Sequence, residues 1–513
     1  MEMGGEQESY GVRKLGETKS MANLLAVKPL KKLMHEAEDE SGGGLKRALG
    51  PLNLITLGIG AIIGAGIFVL TGTAAAQFAG PAIVLSFVVA GIGCVFAGLC
   101  YAEFAAMIPI AGSAYTYGYA TLGELVAWII GWALCLEYAF GAATVAVGWS
   151  GYVSSLLGYF GIRMPFNPTP SVALNLFGHP FSAKVDIFAF CAIIVVTTVL
   201  VVGVRESANF NSAAVIIKVS VVLFFIGIAT VYAFGHPAHM SANWHPFIPK
   251  NLGHFGEYGW SGIMRGASVV FFAYIGFDAV STAAQEAKNP QKDLPFGILG
   301  SLVICTVLYI IVAGLLTGIK PYMTLNTPAP VADGAAAIGA TWGVCLIDIG
   351  AIAGLASVML VMILGQTRVL YTMSRDGLLP SWVGRIHPRF CTPWLVTIAV
   401  GVLVAFLAAF FNIAFLGELV SLGTLLAFAI VCVGVWVMRK RQPDVHRPFR
   451  TPWVPLVPIM GMVISLSLMA SSDTPAKIGF FSWLIIGLVI YFGYSTRHSK
   501  VQHAERETTA AAD

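Results

Sequence analysis

Three ionisable side chains interrupt stretches that are otherwise apolar. Lys218 lies in ANFNSAAVIIKVSVVLFFIGI (208–228), Glu137 in WALCLEYAFG (132–141), and Asp278 in VVFFAYIGFDAVST (269–282). A charge in such surroundings costs a few kcal/mol unless it is paired, neutralised or reaches an interface, so each residue needs a role or a partner. Burial disfavours the ammonium form of a lysine, which makes Lys218 a candidate proton carrier. The bland alternative is a lysine snorkelling to the nearer membrane face. For Glu137 the alternatives are contact with a basic or ammonium group and a structural hydrogen bond between helices. Asp278 either caps a half-helix or joins a proton relay. A second unusual pattern is GIGAIIGAGIF (58–68), which places Gly58, Gly60, Gly64 and Gly66 in an uncharged run. Each glycine costs a helix interior about 1 kcal/mol relative to alanine. Either they allow close helix packing at small-xxx-small spacing, as Gly60 and Gly64 would, or they let the backbone unwind.

The elements that carry these residues are membrane helices. The chain has 513 residues, 57% hydrophobic and 11% charged, against about 25% charged in soluble domains. Runs of about 20 apolar residues fit a bilayer core. Twelve occur, centred near residues 60, 93, 140, 194, 222, 272, 306, 355, 402, 428, 463 and 488. No alternating ten-residue strands suggest an outer-membrane barrel. The first 48 residues are polar and contain no signal-peptide core. Leu30–Glu40 is expected as a short surface helix and 41–44 as a glycine hinge. Of the 30 lysines and arginines, 22 fall in segments that are inside if the N-terminus is cytosolic, five fall outside, and Lys218, Arg265 and Arg368 lie in or at the ends of runs. This asymmetry predicts both termini in the cytosol. It explains the +4 net charge without nucleic-acid binding. The eight cysteines sit in or beside apolar runs without metal-ligand spacing and read as packing residues. His179, His236, His239, His245 and His254 fall in predicted outer loops and read as ordinary loop histidines. Glu103 and Glu124 flank an inner loop as interface or gating acids, Asp348 and Glu418 lie near outer ends where solvation is easy, and Met359 and Met362 read as packing. No nucleophile–base set, metal motif or phosphate loop suggests an enzyme.

Runs one and six both carry central glycines. Five runs separate their starts, so the second set of five enters from the opposite side. Inverted repeats with interrupted helices in corresponding positions point to the central site of a secondary transporter. Non-helical backbone at membrane depth is tolerated only inside protein or beside an aqueous cavity. Freed N–H groups at a half-helix start favour an anion, and freed carbonyls accept from an ammonium. An amino acid carries one of each.

At these residues the sequence resembles the amino acid–polyamine–organocation superfamily, and within it the cationic amino acid transporter family and its bacterial members. The matching stretches are GIGAIIGAGIFVLTG (58–72), YAEFAAMIPIAGSAYTYGYATLGELVAW (101–128), FFAYIGFDAVSTAAQEAKNPQKDLPFGI (271–298), GQTRVLYTMSRDGLLP (365–380) and HRPFRTPWVPLVPI (446–459). The resemblance implies an all-α integral membrane protein with a LeuT-type fold: 12 transmembrane helices, a 5+5 inverted repeat, and discontinuous helices 1 and 6. The expected organisation is a cytosolic tail 1–48, repeats at 49–235 and 260–440, two further helices at 453–497, and a cytosolic tail 498–513. It also implies that the backbone of Ala65, Gly66 and Ile67 holds a substrate carboxylate, with Gly64 beside them in the substrate site. The carbonyls of Ile62, Phe272, Ala273 and Ile275 would hold the amino group, with Phe272 as a gate and Glu137 near the pocket. Many relatives carry threonine where this chain has Ala65, so a hydroxyl is missing. Lys218 matches the lysine that replaces a sodium ion in proton-coupled members and can tether helix five to the unwound part of helix one. The implied activity is an amino acid permease of the cytoplasmic membrane taking cationic or small neutral substrates, with the proton as coupling ion, Lys218 and Asp278 in that role, no sodium and no other cofactor. The alternatives are an amino acid or polyamine exchanger and a non-transporting sensor. A small single-span membrane partner is left open by the sequence.

Overall fold

The computed structural model describes residues 26–28, 49–108, 113–162, 171–176, 179–202, 208–284, 287–390 and 392–503. Each of the twelve apolar runs forms helix: α1 (Pro51–Ile62), α2 (Ile83–Met107), α3 (Glu124–Tyr159), α4 (Ile187–Val202), α5 (Ala208–Gly235), α6 (Gly259–Val270), α7 (Pro290–Ile319), α8 (Thr341–Arg375), α9 (Trp394–Phe410), α10 (Ile413–Arg441), α11 (Leu456–Ser471) and α12 (Thr474–Ile490). Among the described residues, seven helical stretches are long and apolar enough to cross a membrane, and α1, α4, α9 and α11 are shorter apolar helices. Val231, Phe234, Ile478 and Val489 expose 62–84% of their surface on the outside of the bundle, as helices facing lipid do. The expected helix over 30–40, the hinge at 41–44 and residues 504–513 lie outside the described residues. The helical expectation needs one addition, a hairpin of β1 (Ser171–Leu176) and β2 (His179–Lys184), antiparallel with Ser171 opposite Lys184.

Small residues set the helix spacing. A Cβ on Gly365 of α8 would sit 3.1 Å from the Tyr138 ring of α3, and one on Gly141 of α3 would sit 3.6 Å from Met362. Without a hydrophobic force between helices in lipid, such close approach supplies the contacts that hold them. Met359 and Met362 are buried, in keeping with packing.

Charges hold the two ends of α10. At one end, Arg265 of α6 forks onto Glu418, with Nη1 2.9 Å from Oε2 and Nη2 on Oε1, while Asp473 N–H donates to Glu418 at 3.0 Å. At the other, Arg439 forks onto Glu103 of α2 at 3.0 and 2.6 Å, joined by the Thr451 N–H at 2.8 Å. Arg447 Nε lies 3.4 Å from Glu103. The expectation that Asp348 and Glu418 are solvated is corrected: both are buried. Glu418 is paired with Arg265, and Asp348 accepts from Ser155 Oγ of α3 at 2.8 Å.

The tails join the same scaffold. Lys28 Nζ lies 2.9 Å from Asp376, whose second oxygen accepts from Tyr115 Oη at 2.7 Å. Backbone bonds run from Lys28 N to Tyr119 O and from Glu124 N to Ala26 O. Glu124 is buried among uncharged donors: Tyr119 Oη, Tyr491 Oη, Gln502 Nε2 and Ser499 Oγ.

Candidate functional site

α1 ends at Ile62. Ile63 turns to an extended conformation (ψ 104°), and winding resumes through Ala65 into Gly66–Leu70. α6 ends at Val270 and tightens into the 3-10 turn Phe271–Tyr274. Ile275 is extended (ψ 136°), Gly276 takes φ 113°, and helix resumes at Ala279. The two breaks face each other. A Cβ on Gly66 would fall 2.3 Å from Ala273 Cα, and one on Gly276 would fall 2.7 Å from Ala61 O. Gly276 is thus required twice, for its left-handed φ and for the approach of the α1 backbone.

The glycines of the first run divide between the two readings of the sequence. A Cβ on Gly58 would collide with Ser301, and one on Gly60 with Val215 (both 2.4 Å), so these serve packing. Gly64 sits at the break with nothing nearer than Val358 at 3.7 Å. Gly60 and Gly64 are therefore not one packing stripe.

Unwinding frees backbone groups that must find partners. At the start of the Gly66 half-helix the Phe68 N–H reaches back to Gly64 O at 3.4 Å, while the amides before it precede any acceptor their own helix can supply. On the carbonyl side, Lys218 Nζ donates to Gly60 O and, at 3.2 Å, to Ile63 O. Lys218 is 1% exposed while its neighbour Ile216 is 65% exposed, so the lysine points into the bundle and does not snorkel. Phe272 O accepts from Ile275 N at 3.2 Å. Tyr309 Oη of α7 lies 3.0 Å from Ile62 O and 2.9 Å from Ala273 O.

Ile62, Gly64, Ala65, Gly66, Ile67, Phe272, Ala273 and Ile275 are all buried and meet at the two breaks. Lys218 joins them through its bonds. Glu137 and Asp278 are also buried; Asp278 lies in the second break, immediately before helix resumes at Ala279, and the two acids interact electrostatically with each other and with Tyr101 and Tyr138. Along α3 it is Gly148 that abuts Ala65. Glu137 precedes it by eleven residues, about 16 Å of helix. Glu137 Oε1 has no hydrogen-bond partner among the described residues. Tyr309 was not singled out by the sequence: a lone tyrosine in VLYIIV looks the same whether it faces lipid or protein.

The sequence model of the amino acid permease family matches residues 49–501, which takes in both breaks and every helix. The chain belongs to the amino acid permease family. Among its relatives, the branched-chain amino acid permease BcaP of Bacillus subtilis is 46% identical over 461 residues, 89% of this chain and 95% of that protein. The methylthioribose transporter of the same organism is 42% identical over 93% of this chain and 99% of its own length. The vacuolar cationic amino acid transporter 4 of Arabidopsis thaliana is 37% identical over 80% of this chain and 66% of that one. The resemblance to the amino acid–polyamine–organocation superfamily thus holds, and this permease is a multi-pass membrane transporter, not an enzyme.

Proposed function

We propose that this permease is a proton-driven importer of L-amino acids in the cytoplasmic membrane, working by alternating access with both termini cytosolic. The observation that carries the reading is the pair of broken helices whose breaks meet. One offers half-helix amides to a carboxylate at Gly64, Ala65, Gly66 and Ile67. Together they offer carbonyls of Ile62, Phe272, Ala273 and Ile275 to an amine. Twelve helices in a LeuT-type 5+5 inverted repeat, with repeats at 49–235 and 260–440, would place those breaks at mid-membrane. Lys218 would be the coupling group: its bonds to Gly60 O and Ile63 O flank the first break, so losing its proton would loosen that break, with no sodium required. Asp278 and Glu137 would serve the proton path or the substrate's far end on the inner side.

The relatives' names divide over cargo: branched-chain and cationic amino acids in two cases, methylthioribose in the third. The common backbone site fits any α-amino acid, and we read the range as neutral and cationic together. The test is thermal stabilisation of the purified protein by leucine, alanine, arginine, lysine, putrescine and methylthioribose at pH 5.5 and pH 8, since a ligand of the folded state raises its stability with occupancy. Stabilisation by amino acids is expected. Stabilisation by methylthioribose alone, or by nothing, would overturn the reading.

A further inference from the structure

The carbonyls freed by the two breaks can be counted against the protons that reach them. Lys218 brings three protons and has two carbonyls within reach, Gly60 O and Ile63 O. Tyr309 brings one. A phenol has a single O–H and two lone pairs, yet Tyr309 Oη lies within 3.0 Å of two carbonyl oxygens, Ile62 O from the first break and Ala273 O from the second. Only one can receive the proton in a near-linear bond, and a proton shared between both serves each weakly. Either way the two carbonyls and the lone pairs of Oη hold one proton fewer than they can accept. Tyr309 is fully buried, and its ring is fixed between Phe87 and Tyr274, both with centroids 5.5 Å away. Tyr274 is itself anchored through its hydroxyl to Phe87 O at 2.8 Å. The hydroxyl therefore cannot swing away from either carbonyl without repacking an aromatic cluster.

A buried acceptor pair that lacks one proton is a site for one N–H donor. We propose that Tyr309 is a positioning residue for the substrate's amino group. Its proton goes to one broken-helix carbonyl, while its lone pair and the other carbonyl together receive an N–H of the substrate. The amine then completes a hydrogen-bond chain from the first break to the second, so an occupied site joins the two half-helices more tightly than an empty one. This rests on the amino acid reading above and adds a side chain to a site otherwise built from backbone.

Tyr309→Phe keeps the ring and removes only the hydroxyl. The readout is the ratio of binding constants for a substrate and its desamino analogue, leucine against 4-methylpentanoate and arginine against 5-guanidinovalerate, in wild type and variant. The wild type should prefer the amine-bearing partner of at least one pair. In Tyr309→Phe that preference should fall about tenfold, the value of one hydrogen bond to a charged group, while the desamino analogue binds unchanged and so certifies a folded site. An undiminished preference in the variant overturns the proposal and leaves the amino acid reading intact. A wild type that does not distinguish amine from desamino partner overturns both.

Discussion

The middle of the permease and its two ends are built on different principles. At the ends, helices meet through buried arginine–carboxylate forks: Arg265 on Glu418 at one end of α10, Arg439 on Glu103 at the other. In the middle, where α1 and α6 break, the partners are backbone carbonyls, one phenol and one ammonium. The difference fits the roles proposed for the two regions. A forked ion pair is strong, directional and costly to leave half-made, which suits a seal that is either closed or open. Backbone dipoles carry no net charge and no side-chain identity, which suits a site that must release what it binds.

This contrast can be broken most directly at Gly66. Alanine there would place Cβ 2.3 Å from Ala273 Cα and force the two breaks apart. Transport into proteoliposomes should fall more than about hundredfold, the equivalent of roughly 3 kcal/mol. Gly64→Ala, with ordinary contact only, should leave thermal stability close to wild type and weaken substrate binding alone. Equal damage from the two would mean that the break is packing and nothing more.

Lys218→Ala comes next. It should retain substrate binding, measured as thermal stabilisation, but lose accumulation driven by an inward proton gradient, about a tenfold drop at the gradient that drives wild type tenfold. Unchanged gradient-driven uptake would assign the lysine to structure.

At the ends the effects should be on stability. Arg439→Leu leaves Glu103 buried but still beside the Arg447 cation and the Thr451 amide, so the loss should stay at the low end for a broken buried pair, about 3 kcal/mol. The double variant Glu103→Leu/Arg439→Leu should recover most of that. A double variant no better than the single one would mean the fork stabilises by more than relieving its own desolvation. Lys28→Met should be the mildest. Lys28 and Asp376 are 5% and 13% exposed, so this is a buried pair, but Asp376 keeps the Tyr115 hydroxyl, and the loss of one charged hydrogen bond should cost about 1.5–2 kcal/mol, read as a shift in melting temperature.

The middle was far more legible in the sequence than the ends. Glycines crowded into an uncharged run, and a glycine followed by an acid in a second run, report local backbone geometry, and local geometry is written in adjacent residues. Lys218 was visible as an anomaly, although its direction was not: only burial beside an exposed Ile216 separates tether from snorkel. The forks were hidden because they are non-local. Arg265 and Glu418 are 153 positions apart and Glu103 and Arg439 are 336 apart. Taken singly, Glu418 looks like an acid at a wet helix end. Tyr309 was hidden for a related reason, since its chemistry comes from two carbonyls on other helices and none of it from its own neighbours.

Glu124 has a practical consequence for reporter fusions. Two of its four donors, Ser499 and Gln502, come from the chain's tail. A fluorescent protein joined after residue 503 leaves that carboxylate fully served. The same fusion made at residue 497 strips half its partners and leaves a buried acid at the start of α3 with two tyrosine hydroxyls alone. Low yields from the shorter fusion would then report a cut hydrogen-bond set, not an intrinsically unstable transporter.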